Sequence, residues 1–175
     1  MNTAISTNTL EAMKAFIDRA HIARAKNTLE LKFDEYGFII FLFEDEQFIF
    51  VDRHIMNSHI HGQEVVLLKS ENKKIIWSMM YSGIFSEITE AEKIQTLEFF
   101  NIIVQSAYFD PNTLSVRGPK SMEIGTNIWM YDNICASKDI ANFEGNEKIT
   151  HNNKIMFSCK YNGNLLVDIE NKPGE

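Results

Sequence analysis

The sequence predicts an α+β fold of two pseudo-repeated units, each with one helix and about four antiparallel strands. Three observations carry this expectation. Two segments have helical apolar spacing, most of the remainder reads as strands joined by short polar turns, and a decamer recurs 80 residues later. The chain has 175 residues, of which 45% are hydrophobic and 23% charged. Those fractions belong to an ordinary globular chain and exclude a disordered one. The length fits a single domain over 1–175.

Residues 1–8 are expected to fray. Leu10, Met13, Phe16, Ile17 and Ala20 then fall at helical spacing, with Asn8 or Thr9 as N-cap, so the first helix is expected over Thr9–Ala25. Phe38–Phe43 and Gln47–Ile55 read as strands around the acidic turn Glu44-Asp45-Glu46. Glu64–Lys69 and Lys74–Ser82 flank a polar hairpin at Ser70–Lys73. Thr89 and Glu92 form a capping-box pattern, in which each side chain reaches an orphan backbone N–H of the first turn. Ile94, Leu97, Phe100, Val104 and Ala107 are the expected apolar stripe of the second helix. Strands are expected at Asn127–Ala136, Lys148–Thr150, Lys154–Tyr161 and Leu165–Ile169, with turns at Asn152-Asn153 and Asn162-Gly163.

The recurrence is specific. KIIWSMMYSG over 74–83 returns as KIMFSCKYNG over 154–163, with five of ten positions identical. The same offset aligns Phe50-Val51-Asp52 with Met130-Tyr131-Asp132, and Thr9 with Thr89. A G-x-E segment precedes each decamer, at Gly62–Glu64 and Gly145–Glu147. The expected units are 9–84 and 89–166, with 167–175 as a tail. Strand parity places Ile75, Trp77, Met79 and Tyr81 on one buried face, and Ile155, Phe157, Cys159 and Tyr161 on its counterpart.

Charge and cysteine content narrow the function classes. Lys plus Arg is 17 against 24 Asp plus Glu, a formal charge of −7. The densest basic cluster, Lys69–Lys74, is broken by Glu71, so no basic face exists to track phosphates and no nucleic-acid partner is expected. The longest apolar run, Phe38–Phe43, is too short to span a bilayer, and Met1–Thr9 has no apolar signal core. Two cysteines without a CxxC point to reduced thiols and a cytoplasmic protein.

Phe50-x-Asp52, Gly62-x-Glu64-x-Val66 and Trp77-x-Met79-x-Tyr81-x-Gly83 occur in order, followed by Arg117-Gly118-Pro119, Phe143-x-Gly145-x-Glu147-x-Ile149 and Tyr161-x-Gly163. This series resembles an uncharacterised bacterial domain family whose members occur alone or C-terminal to XRE-type helix-turn-helix domains. The chain departs from that pattern before the first G-x-E segment, where Met56–His61 replaces a glycine-rich stretch. The resemblance implies a sensing or ligand-binding module and carries no activity with it. A remoter similarity to haem-utilisation proteins built from repeated αβ units would imply haem.

Candidate chemistry follows from residue type. Asp52, Glu64, Trp77, Tyr81, Arg117, Glu147 and Tyr161 are the candidate ligand-binding residues, placed in the groove between the units. Repeated acids could share a proton if held close, or hydrogen-bond backbone at strand ends. Arg117 offers a planar fork to an anion, or belongs to a Gly-Pro turn. His54, His59 and His61 are the candidate metal ligands. His59-x-His61 followed by Glu64 resembles the first cupin metal motif with one residue missing, and the alternative is solvated loop histidines. Cys135 and Cys159 stand in no nucleophile motif, and G-x-S-x-G, Walker, GxGxxG and HExxH patterns do not occur. The stripe Phe38, Phe41, Phe43, Phe48 and Phe50 either builds core or lines a cavity.

The leading expectation is a cytoplasmic module that binds a small molecule between the units, with no cofactor and with a homodimer as one form. The alternatives are an antitoxin- or immunity-like protein that binds a partner protein, and a metal- or haem-binding protein or enzyme using the histidines.

Overall fold

The computed structural model describes residues 4–26, 32–107, 121–125, 128–135 and 139–170. In chain order the elements are β1 (Ala4–Ile5), α1 (Thr7–Ala25), β2 (Lys32–Phe33), β3 (Ile39–Glu44), β4 (Phe48–Met56), β5 (His59–Leu68) and β6 (Lys74–Phe85). They continue with α2 (Glu90–Ala107), β7 (Ser121–Ile124), β8 (Trp129–Cys135), β9 (Asn142–His151), β10 (Lys154–Leu165) and β11 (Asp168–Ile169). The fold is α+β. A large antiparallel sheet runs in the order β2-β3-β4-β5-β6-β10-β9-β8-β7.

Local chemistry sets the turns and helix starts. Both long hairpins reverse through consecutive positive-φ residues, Asn72-Lys73 between β5 and β6 and Asn152-Asn153 between β9 and β10. Asparagine tolerates this conformation well, and it suits the twist of the flanking strands. The Thr89–Glu92 capping box forms as expected: Thr89 N donates to Glu92 Oε2 at 2.7 Å, and Glu92 N donates to Thr89 Oγ1 at 3.2 Å. The first helix starts two residues earlier than its apolar spacing indicates. Ser6, not Asn8 or Thr9, is the cap, and its Oγ accepts from Thr9 N at 3.2 Å. The expected fraying of residues 1–8 does not hold for Ala4–Ile5, which pair in parallel with Asp168–Ile169.

Both helices lie on one face of the sheet. Phe16 of α1 packs on Phe48 with ring centroids 5.3 Å apart, and Phe100 of α2 packs on Phe157 at 6.4 Å. The central strands β6 and β10 pair through Tyr81 opposite Tyr161, Trp77 opposite Leu165 and Phe85 opposite Phe157. Among the described residues, no helix covers the other face. There Met80 is 60% exposed and Ile134 72% exposed. An antiparallel sheet tolerates one such solvated face.

Two expectations about burial are corrected. Ile75 and Ile155 are exposed, whereas Ile76 and Met156 are fully buried. The ladder shifts register at each of these points, so one extra residue faces no partner and the alternation reverses. Beyond each shift the expected faces hold, with Trp77, Met79, Tyr81, Phe157, Cys159 and Tyr161 buried. In α2 the buried residues are Thr96, Phe99, Ile103 and Val104, while Ile94 is exposed. The apolar stripe is rotated because Phe99 and Ile103, rather than Ile94, meet the sheet.

Candidate functional site

The buried stripe of α1 does not stay apolar. Ile17, His21 and Arg24 succeed one another at helical spacing, which carries two basic side chains under the helix and onto β4 and β5. There Asp52 and Glu64 are cross-strand neighbours, both with no exposed surface. His21 Nε2 lies 2.8 Å from Glu64 Oε2. Arg24 Nη1 donates to Asp52 Oδ2 and also lies 3.3 Å from Glu64 Oε1. The Tyr81 hydroxyl donates to Asp52 Oδ1 at 2.7 Å.

Tyr81 reaches Asp52 because its register partner is Gly62. A Cβ at that position would sit 2.3 Å from Tyr81 Cζ, so only a bare backbone lets the ring lie across β5. His54 completes the group. Its Nδ1 is 3.2 Å from Asp52 Oδ2, close enough for charge attraction but without hydrogen-bond geometry. Neither ring nitrogen of His54 makes a hydrogen bond among the described residues.

The electrostatics favour ionised acids. Burial pushes the Asp52 carboxyl up, but the Arg24 guanidinium, then the His54 imidazole and the Tyr81 hydroxyl, hold it well below the usual carboxylate range. Burial also opposes ionisation of Glu64, and His21 followed by Arg24 brings it below its ordinary value despite the nearby Asp52 charge. Burial, then the Asp52 charge, pushes the Tyr81 hydroxyl well above its ordinary value, so it stays a donor.

A second group occupies the other side of the β6–β10 pair. The Tyr161 hydroxyl donates to Asn133 Oδ1 at 2.6 Å, and the Tyr131 hydroxyl donates to Glu147 Oε2 at 3.0 Å. Asn133 and Glu147 are cross-strand neighbours, and Gly145 lies opposite Tyr161 as Gly62 lies opposite Tyr81. The residue placed like Asp52 is therefore Asn133. The expected match of Asp52 with Asp132 fails, because Asp132 points to the open face and sits 3.8 Å from Lys148.

A cavity of about 200 Å³ lies between α2 and the sheet. Arg24, His54 and Tyr81 form its polar end, and Phe41, Ile60, Phe85, Leu97, Phe100 and Phe157 line much of the rest. Of the residues singled out by sequence, Asp52, Glu64, Tyr81 and His54 come together in this network, and of these Tyr81 and His54 line the cavity. Glu147 and Tyr161 belong to the second group. Trp77 is core: it stacks on Phe143 and donates to Ile140 O at 3.3 Å. Arg117 lies outside the described residues.

The three histidines do not converge. His54 is on the helix-covered face, whereas His59 and His61 stack on each other at 5.9 Å on the open face. Among the described residues, no group of three or more His, Cys, Asp or Glu is arranged to hold a metal ion. The open face carries a concavity of about 810 Å³ floored by β5, β6, β9 and β10. Among the described residues, no helix is long and apolar enough to cross a membrane.

His21 and Arg24 escaped the sequence reading. Their signal is present, since both continue the spacing of Phe16, Ile17 and Ala20 on a stripe that buries itself.

No curated protein and no solved structure matches this chain. A family described as a domain of unknown function, DUF5680, matches residues 52–166. That span holds Asp52, His54, Glu64, Tyr81, Asn133, Glu147 and Tyr161, while the two basic residues of α1 precede it. The chain belongs to the DUF5680 family.

Proposed function

We propose that the chain is a small-molecule-binding module whose ligand occupies the cavity beneath α2. One observation carries this reading: an ionised, buried network stands at one end of a largely apolar cavity whose other polar lining is Thr96 and Asn101. Ligand sites combine apolar walls with a few convergent polar groups in this way. Buried charges also cost stability relative to well-packed apolar residues, so a network of this kind suggests a role beyond folding.

The same reading takes the chain as a duplicated unit with one working site. The N-caps Ser6 and Thr89 are 83 residues apart, as are Gly62 and Gly145, and Glu64 and Glu147. This replaces the 80-residue spacing expected between the helices. Tyr81 and Tyr161, and the register shifts at Ile76 and Met156, are 80 apart. His21 and Arg24 then correspond to Val104 and Ala107 at the offset of 83, and Asp52 and His54 correspond to Asn133 and Cys135 at an offset of 81, set by their pairing with β5 and β9. The first unit keeps a charged set, and the second keeps Glu147 and Tyr161 with neutral neighbours. Sensing beside a DNA-binding domain in a bacterial cytoplasm is the setting the sequence resemblance implies.

The experiment is native mass spectrometry of the protein as purified, alongside the cavity-filling variant Leu97→Trp. A co-purifying small molecule should appear with the wild type and be lost in a folded Leu97→Trp. Retention by the variant contradicts the reading.

A second reading has its own observation. Met80, Ile84 and Ile134 are exposed on the uncovered sheet face, and exposed apolar surface of this kind marks docking sites for partner proteins. In that reading Ile134→Lys abolishes association seen by sedimentation and leaves ligand retention intact.

A further inference from the structure

We infer that His54 selects the ligand's polar group, and that the ligand is a neutral hydroxyl compound built on a single ring, a phenol in chemical class. The inference deepens the cavity reading and rests on it.

Size comes first. The cavity is about 200 Å³. An apolar cavity of roughly 150 Å³ accepts benzene, so this one has room for one ring with a small substituent. Phe41, Phe85, Phe100 and Phe157 give it aromatic walls, which suit edge-to-face and offset contacts with such a ring.

Charge comes second. A cationic head would meet the Arg24 guanidinium, which itself forms part of the wall. An anionic head would approach Asp52 and Glu64, two carboxylates that directly flank a single guanidinium. His21 is engaged with Glu64, and Tyr81 donates its proton to Asp52. A neutral head avoids both repulsions.

Hydrogen bonding comes third. Besides His54 the polar lining is Arg24, Tyr81, Thr96 and Asn101; Arg24 serves Asp52 and Glu64, Tyr81 serves Asp52, and the Thr96 hydroxyl donates to Glu92 O. His54 serves none by hydrogen bond, although it lines the cavity. Its Nδ1 edge is turned to Asp52, which leaves the Nε2 edge for a ligand. A phenol hydroxyl, neutral at pH 7 with a pKa of about 10, both donates and accepts and so pairs with that nitrogen whichever way its proton lies. A polar group inside a cavity discriminates strongly against an analogue that cannot pair with it, because it is then left unpaired.

The test compares phenol, toluene, benzoate and benzylamine by calorimetric titration at pH 7. Phenol is expected to bind at least ten-fold tighter than toluene, although toluene leaves water more readily, and the two charged probes are expected to bind more weakly than phenol. In His54→Phe the ratio of phenol to toluene should fall to about one, and His54→Gln should keep part of it. Circular dichroism establishes which variants fold, and the wild-type comparison stands if neither does. Equal binding of phenol and toluene, or tightest binding of a charged probe, overturns the role of His54 but leaves the cavity reading intact. Binding of none of the four overturns the cavity reading as well.

Discussion

Asp52 and Asn133 receive the same hydrogen bond. The Tyr81 hydroxyl donates to Asp52 Oδ1 at 2.7 Å, and the Tyr161 hydroxyl donates to Asn133 Oδ1 at 2.6 Å. Each acceptor faces a buried glutamate across its strand pair, Glu64 in one case and Glu147 in the other. The hydrogen-bonding frame is therefore shared, and the charge differs. Replacing Asp52 by Asn keeps the shape but removes the carboxylate charge that faces Arg24, while the longer contact to Glu64 stays. Loss of one partner of a buried pair costs roughly 3 kcal/mol, and Asp52→Asn should destabilise by about that amount in urea titration. Asn133→Asp should also destabilise, since it sets a second carboxylate against buried Glu147, and Glu147→Gln should recover part of that loss.

Stability should depend on pH at both ends. Asp52 and Glu64 sit below their ordinary pKa values when folded, so the unfolded chain binds more protons as pH falls. Their contribution is complete above the unfolded carboxylate range, near pH 4–4.5, and drains away below it. Tyr81 has the opposite sign. Its folded pKa is raised, so its contribution is complete below its unfolded value of about 10 and is lost as pH rises beyond it. Urea midpoints measured across pH should fall on both sides. Asp52→Asn should flatten the acid limb, and Tyr81→Phe the alkaline one.

The crossing of Tyr81 over Gly62 should be intolerant of a methyl group. The added carbon would lie 2.3 Å from Tyr81 Cζ and 2.7 Å from His54 Cβ. Overpacking of this kind costs about 1–3 kcal/mol, so Gly62→Ala should lower the melting temperature clearly. The double variant Gly62→Ala/Tyr81→Ala should cost less than the sum of its parts, because the clash is shared. Strict additivity would mean that the ring does not lie across Gly62.

Glu92 ties the start of α2 to β10. Backbone hydrogen bonding from Thr89, then the Lys154 ammonium at 3.1 Å and the Thr89 hydroxyl, hold its carboxyl at about 2. Carboxyl-resolved NMR titration should find Glu92 at that low value in the wild type. Lys154→Met should move it upward. An unchanged value would mean that Lys154 does not reach Glu92 in solution.

Much of this architecture is legible in the residues, and the gaps have physical causes. The Thr89–Glu92 box and the Asn152-Asn153 turn are local chemistry, and both form where their spacing places them. Asp52, Glu64 and Tyr81 stand out as acids and a tyrosine on strand faces otherwise apolar. Arg24 and His21 do not stand out, because their partners lie on strands reached only by tertiary packing. Ile76 and Met156 are hidden for another reason: alternation assumes an unbroken ladder, and each strand takes in one extra residue. The mistaken pairing of Asp52 with Asp132 is a one-residue slip, and a slip of one reverses the face of every side chain.

Two methionines report on which face of the sheet receives the ligand. Met56 lines the cavity beneath α2, while Met80 lies on the open face. Methyl NMR of labelled methionine during a toluene titration separates them. A ligand beneath α2 should give saturable shifts of the Met56 methyl with Met80 unmoved. Shifts confined to Met80, or none that saturate at Met56, would contradict it.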